Sequence, residues 1–199
     1  NFIPTAESND CIFDIGKYVI KNVFKQTNQW NQQYGNNLTA SINLSPKEFE
    51  QNKLISLISK ALEKANLSSD SVIIEITENN FLNNNMKQIK KLKDLGVRIS
   101  IDDFGTGYSS LSYLQEYPID YIKIDKSFVR NINNDHQKKI LSNSIINLAK
   151  NLNLDVVTEG IENKKELDFF IDKNCTKFQG YYFSKPITAT DFENLFLKS

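Results

Sequence analysis

The sequence predicts an α/β fold of the (β/α)₈ barrel type, and three observations predict it. Six short β-branched runs alternate with longer amphipathic runs, the pattern of parallel strands joined by crossover helices. No linker, low-complexity tract or like-charge block interrupts the alternation. Each strand carries a polar residue near its C-terminal end, on the face opposite its apolar residues.

The elements follow in order. A helix is predicted over 12–34, stopped by Gly35-Asn36-Asn37, and a strand at 39–44. Ser45-Pro46-Lys47-Glu48 then opens a helix: Ser45 caps it, Pro46 suits its first turn and Glu48 completes a capping box. Leu54, Ile55, Leu57, Ile58 and Leu62 give that helix its buried stripe. Strand 72–77 precedes the loop Asn83-Asn84-Asn85 and a helix at 84–95 ending at Gly96. Strand 97–103 leads through a glycine-containing loop to a short helix at 109–116, strand 120–125 to a helix at 136–152, and strand 154–159 to a helix at 164–173. Strand 177–183 and Pro186 precede a last helix capped by Thr190, with Glu193 three residues on.

Right-handed crossovers leave an open doubly wound sheet or a barrel, and the strand faces decide between them. One parity is apolar: Ile42 and Leu44; Val72, Ile74 and Ile76; Ile99 and Ile101; Ile122 and Ile124. The other carries Asn43, Glu75, Asp102, Lys123, Glu159 and Gln179. A sheet covered by helices on both faces has no use for such a series, whereas a barrel's inward residues converge on one mouth. A barrel needs eight strands and about 250 residues; this chain has 199 and starts at Asn1-Phe2 without Met. The expected fold class is therefore α/β, a modified TIM-type (β/α)₈ barrel N-terminally truncated to about six βα units. Residues 1–199 form one domain whose first two strands lie upstream, and the edges so exposed predict pairing with another chain.

Composition narrows the function classes. Lys plus Arg and Asp plus Glu are each 24, a net charge of zero, which argues against a DNA or RNA polymer or an anionic membrane as partner. No apolar run approaches the ~18 residues of a membrane span, and no basic-then-apolar leader is visible. Cys11 and Cys175 make no disulfide framework and read as reduced cytoplasmic thiols.

The polar series carries the chemistry. Glu75, Asp102, Asp103 and Glu159 bring four carboxylates together, and in a partly desolvated mouth they repel unless neutralised. Divalent cations neutralise them, and carboxylates with the Asn43 amide oxygen suit Mg²⁺, Mn²⁺ or Ca²⁺. Two such ions about 3.5–4 Å apart are a known arrangement for in-line attack at phosphorus. Lys123, among these carboxylates, is placed to hold an attacking water or to stabilise a phosphate oxygen. Taken singly, each strand-end carboxylate reads more readily as a solvated end or a cap partner; six polar residues on six consecutive strands do not.

These residues resemble the EAL-domain family. Asn43-Leu44-Ser45, Glu75-Ile76-Thr77-Glu78, Asp102-Asp103-Phe104-Gly105-Thr106-Gly107-Tyr108-Ser109-Ser110, Lys123-Ile124-Asp125, Glu159-Gly160-Ile161-Glu162 and Gln179-Gly180-Tyr181 occur in its order and spacing, and Phe2–Glu7 resembles the segment before its first long helix. The resemblance implies a bacterial signalling hydrolase, a phosphodiesterase that opens cyclic di-GMP to linear pGpG with magnesium or manganese, Ca²⁺ binding but inhibiting. It implies metal ligation by Asn43, Glu75, Asp102, Asp103 and Glu159, and catalytic roles for Lys123, which positions the water, and Glu159. It implies substrate contacts by Asp125, Gln179 and Glu162, and anchoring of the loop after Asp103 by Glu78. It also implies a homodimer through that loop and a cytoplasmic domain, with sensory or GGDEF-type domains and a membrane anchor open to the parent.

The family's Glu-Ala-Leu segment belongs on an upstream strand, so the fragment alone is expected to be weak or inactive. A non-catalytic cyclic di-GMP receptor is the alternative, distinguished by a substituted Glu in that segment. A different metal-dependent barrel enzyme acting on a small phosphorylated or carboxylated metabolite is a further one. His136 reads as a surface residue, Trp30 as helix packing, and Lys87, Lys90, Lys91 and Lys93 as a solvated helix face. The scarcity of Arg, present at Arg98 and Arg130 alone, reads as coding bias.

Overall fold

The computed structural model describes residues 2–82, 86–107 and 111–198, with Asn79, Leu82 and 111–113 described by their backbone alone. The Asn83-Asn84-Asn85 loop and Tyr108-Ser109-Ser110 lie outside the described residues. Six strands form one sheet in sequence order, β1 to β6. The chain divides into two compact units, residues 1–101 with 110–120, and residues 102–109 with 121–199.

The first unit holds α1 (Ile3–Ser8), α2 (Ile12–Tyr34), β1 (Ala40–Asn43), α3 (Pro46–Phe49), α4 (Leu54–Ala65), β2 (Val72–Thr77), α5 (Glu78–Leu82), α6 (Met86–Asp94), the start of β3 (Arg98–Phe104) and α7 (Leu111–Glu116). Helix α2 has the bounds its pattern predicts and stops at Gly35, whose φ of 64° is left-handed. Strands β1 and β2 are parallel, from Ala40↔Val72 to Asn43↔Glu75. Their apolar parity is buried at Ile42, Ile74 and Ile76, as the alternation requires.

The second unit holds the end of β3, β4 (Tyr121–Ile124), α8 (Lys126–Val129), α9 (His136–Asn151), β5 (Asp155–Thr158), α10 (Lys164–Ile171), β6 (Lys177–Phe178) and α11 (Ala189–Phe192), which runs into a π-helical turn at Glu193–Leu197. Strand β5 pairs in parallel with β4 and with β6. Ile122 and Ile124 are fully buried. No helix among the described residues is long and apolar enough to cross a membrane.

Four expectations are corrected. The helix opened by Ser45 is two helices, α3 and α4. Phe49 and Leu54 are both buried, yet five residues of continuous helix would set them about 140° apart, so a break lets both face the core. Strand 177–183 ends at Phe178, because Tyr182 N–H turns back to the Ile161 carbonyl at 3.0 Å and leaves the ladder. The last helix is capped by Thr188, not Thr190: its Oγ1 accepts the Asp191 N–H at 3.2 Å and donates to Asp191 Oδ2 at 2.7 Å. Lys93 is no solvated cation, since its Nζ lies 2.8 and 2.7 Å from the two Asp120 oxygens, and Asp120 Oδ2 accepts the Ile99 N–H that starts β3.

The capping box at Ser45 also fixes the packing of α2. Ser45 N–H and Oγ donate to Glu48 Oε2 at 3.1 and 2.7 Å. The other Glu48 oxygen crosses α2 at Gly16, where a Cβ would stand 1.6 Å from it. Gly16 lies on the stripe of buried Ile12, Ile20, Phe24 and Thr27. Glycine in a helix interior ordinarily costs about 1 kcal/mol relative to alanine. Here the order reverses: Gly16→Ala expels Glu48 from its box and lowers stability by about 1–3 kcal/mol. Urea unfolding of the variant checks this, and a gain in stability would refute it.

Candidate metal centre

Strand ends of the second unit build the site. Strand β3 brings Asp102 and Asp103, β4 brings Lys123, and Glu159 follows β5. The parallel register pairs Lys123 with Val157 and Ile124 with Thr158, and the Glu159 N–H continues the ladder to the Ile124 carbonyl at 3.1 Å. Asp102, Asp103 and Glu159 each offer an oxygen within 4.8 Å of the others'. Lys123, 3% exposed, reaches between two of them: its Nζ is 3.0 Å from Asp102 Oδ1 and 2.5 Å from Glu159 Oε1. A buried ammonium needs such partners, since desolvation otherwise drives it neutral.

Asp103 sits in the left-handed region at φ 53°, which costs a non-glycine residue about 1–2 kcal/mol. The turn is held by Thr106, whose hydroxyl donates to the Asp103 carbonyl at 2.7 Å. It turns the Asp103 carboxyl toward its neighbours. Partial burial, the Asp102 and Asp125 charges and a hydrogen bond with Asp125 raise the Asp103 pKa above its ordinary 3.8, against the pull of Lys123. Asp125 moves the other way. Burial alone would raise it, but the Ser127 hydroxyl and N–H and the proton shared with Asp103 bring it below its ordinary value. Asp125 is itself the N-cap of α8, accepting the Ser127 N–H at 2.8 Å.

The donor set fits a hard divalent cation. Three carboxylates converge, one of them proton-hungry, and all donors are oxygen. In the first unit Asn43 and Glu75 are register partners at the ends of β1 and β2, Asn43 exposed and Glu75 buried. Glu78 is buried as the first residue of α5.

Glu159, Glu162 and Gln179 line one cavity of about 630 Å³, which Lys126, Arg130 and Phe178 also line. Gln179 is held from both sides, its N–H on the Thr158 carbonyl at 2.8 Å and its carbonyl on the Ile161 N–H at 3.1 Å. Sequence reasoning missed Arg130, which pairs with Glu162 across this cavity. Its rarity in a lysine-rich chain is the available signal, and coding bias accounts for that rarity equally well. His136 begins α9 outside this group, and Cys175 is buried, its thiol pKa raised by that burial.

A parallel α/β sheet with a carboxylate–lysine cluster at its strand ends defines a barrel-type domain whose oxygen donors suit a cation. A family model for the EAL domain matches residues 1–186. The signalling protein YkoW of Bacillus subtilis is 40% identical over 99% of this chain and 25% of its own length. The cyclic di-GMP phosphodiesterase PdeR of Escherichia coli is 36% identical over 97% of this chain and 30% of its own. The chain thus spans a quarter to a third of these relatives. Among solved structures, the PaMucR phosphodiesterase in complex with c-di-GMP superposes at a TM-score of 0.93, with 31% identity over 96% of this chain and 78% of that one. The manganese and c-di-GMP complex of Klebsiella pneumoniae BlrP1 does so at 0.79, with 28% identity over 89% of this chain and 45% of that one. The chain belongs to the EAL-domain family, whose solved members share its fold.

Two outcomes follow from the charges. Lys123→Ala leaves Asp102 and Glu159 facing each other. In chelator it destabilises the chain by about 1–3 kcal/mol, allowing for their partial exposure, and Mn²⁺ restores more stability to the variant than to the wild type. Thermal unfolding with and without Mn²⁺ measures both. The second outcome concerns pH. Because the folded Asp103 pKa is raised, the cation-free fold binds an extra proton between 3.8 and that raised value, and Asp103's contribution to stability falls as pH rises through this window. A cation must expel that proton, so Mn²⁺ affinity rises with pH through the same window, and Asp103→Asn flattens the rise. Calorimetric titration across acid pH decides it.

Proposed function

We propose that this domain hydrolyses one phosphodiester bond of cyclic di-GMP, giving linear pGpG, with divalent cations bound at its strand ends. The observation that carries the reading is the buried Lys123 ammonium set between Asp102 and Glu159, beside Asp103. The cyclic di-GMP named with PdeR, PaMucR and BlrP1 supports the substrate.

Asp102, Asp103 and Glu159 would hold Mg²⁺ or Mn²⁺, and the sequence motif adds Asn43 and Glu75 as oxygen donors. When bound, such ions supply Lewis acidity and water of lowered pKa. The chain's own groups do the rest. Lys123 is a fixed donor that orients a water and offsets charge growing on a phosphoryl oxygen. Glu159, its partner, holds that ammonium in place. Arg130, Lys126, Glu162 and Gln179 along the cavity bind and orient the dinucleotide, the cations meeting its phosphates. Asp125 reads the substrate from the cap of α8, and Glu78 steadies the loop after Asp103. Ca²⁺ binds without supporting turnover. A homodimer and further signalling domains in the parent complete the reading, and the free thiols of Cys11 and Cys175 suit a cytoplasmic setting.

Product analysis tests the proposal. The parent domain with Mn²⁺ yields pGpG from cyclic di-GMP, and Lys123→Ala lowers kcat by about 10²–10³-fold while ligand binding in Ca²⁺ persists. Tight binding with no pGpG from the wild type would make the domain a receptor and sink the enzymatic reading.

A further inference from the structure

Glu166 is 3% exposed, on the third position of α10, and belongs to none of the motifs that mark the site. At that position a glutamate ordinarily reaches back to the N–H of its own helix cap. Here Asn163 caps the helix by accepting the Glu166 N–H at 3.1 Å, while the Glu166 side chain reaches further. Its Oε2 accepts the Glu162 N–H at 2.9 Å and its Oε1 accepts the Asn131 N–H at 3.0 Å. One buried carboxylate thus holds two backbone turns from different parts of the chain.

Each of those turns starts at the site. The first runs from Asp125, the cap of α8, to Asn131, which sits in the left-handed region at φ 59°. The second runs from Glu159 to Glu162. At their near ends the turns touch: Gly160, at φ 71°, passes Lys126 so closely that a Cβ would lie 2.5 Å from the Lys126 Cβ. At their far ends Arg130 pairs with Glu162, a contact at the surface and screened by solvent. Glu166 is the buried tie at that end. Backbone N–H groups on a buried carboxylate are charge-assisted bonds, stronger than neutral ones, and an N–H that loses such an acceptor in a buried place costs stability.

We propose that Glu166 is a positioning residue that locks the Glu159–Glu162 turn onto the Asp125–Asn131 turn and so fixes the Glu159 carboxylate for cation binding. This rests on the reading of the strand-end cluster as a cation site. Residues that orient metal ligands typically change affinity or activity by about 10–100-fold when replaced.

The test, made in the parent domain, compares wild type, Glu166→Gln and Glu166→Ala with Phe170→Leu, a substitution in the buried face of α10 away from the site. Glutamine keeps one carbonyl acceptor and turns its amide toward the other N–H, so it folds while releasing one turn. Expected are a Mn²⁺ affinity weakened about tenfold in Glu166→Gln and more in Glu166→Ala. kcat for cyclic di-GMP falls in step, KM stays within about threefold, and Phe170→Leu at a comparable loss of Tm keeps wild-type Mn²⁺ affinity. Amide hydrogen exchange at Asn131 and Glu162, faster in the Glu166 variants, reads the tie without metal or substrate. Wild-type affinity and exchange in Glu166→Gln, or an equal loss of affinity in Phe170→Leu, would overturn the positioning role. A wild type that binds Mn²⁺ yet leaves cyclic di-GMP intact would instead overturn the proposed reaction, with the affinity and exchange comparison still deciding Glu166.

Discussion

The buried ammonium of Lys123 lets three adjacent strands end in carboxylates without pushing one another apart. Asp102 and Glu159 each place an oxygen within 3.0 Å of it. A lysine this deep costs several kcal/mol to desolvate, and two carboxylates set against it recover that only where their geometry is fixed. The parallel ladder fixes it. Once Ile124 pairs with Thr158, Glu159 has one place to go, and the apolar face of β4 pins Lys123 to the other side. The site is therefore a consequence of register: a slip of one residue would bury Lys123 among the core isoleucines and expose Ile122 and Ile124.

The ammonium does not reach every charge. Asp103 stays proton-hungry because it sits beside Asp102 and Asp125, and its backbone is held left-handed to put it there. Local strain and unrelieved charge are features a packed scaffold would discard unless a ligand relieved them. Under the proposed reading, a divalent cation held by Asp102, Asp103 and Glu159 would offset that charge. The surrounding structure bears the cost through hydrogen bonds that do nothing else, such as the Thr106 hydroxyl on the Asp103 carbonyl.

How much of this could be read from the residues divides along physical lines. Periodicity located α2 and β2 to the residue, because their buried stripes are long and uninterrupted. The polar parity at strand ends located Asp102, Lys123 and Glu159, Asp103 follows from its place just past Asp102, and the structure brings these four together. What escaped were features set by tertiary contact. The break between Phe49 and Leu54 has no glycine or proline to mark it and follows from both side chains needing the core. Two Thr-x-x-acid frames compete at the last helix, and extended backbone at Thr188 selects the first. Glu166 stands where a first-turn glutamate ordinarily serves its own cap, and nothing local says its carboxylate will skip that cap for two distant amides. Arg130 was lost for the opposite reason: composition explained its rarity, and explanation by composition hides position.

The arrangement of charges also bears on whether the domain merely holds a ligand. The net charge of zero averages over two unlike places in the second unit. The strand ends gather carboxylates around one ammonium, while the adjoining cavity sets Lys126, Arg130 and Lys185 beside Glu159 and Glu162. A receptor for an anionic dinucleotide needs the second place and is harmed by the first, since uncompensated carboxylates repel phosphate. Under the proposed function, cations held by Asp102, Asp103 and Glu159 would offset that repulsion and supply the Lewis acidity that phosphodiester hydrolysis needs. The strained Asp103, the desolvated Lys123 and the Glu166 tie all add cost to simple binding, and each acquires a purpose when the bound phosphodiester must be held still for bond cleavage.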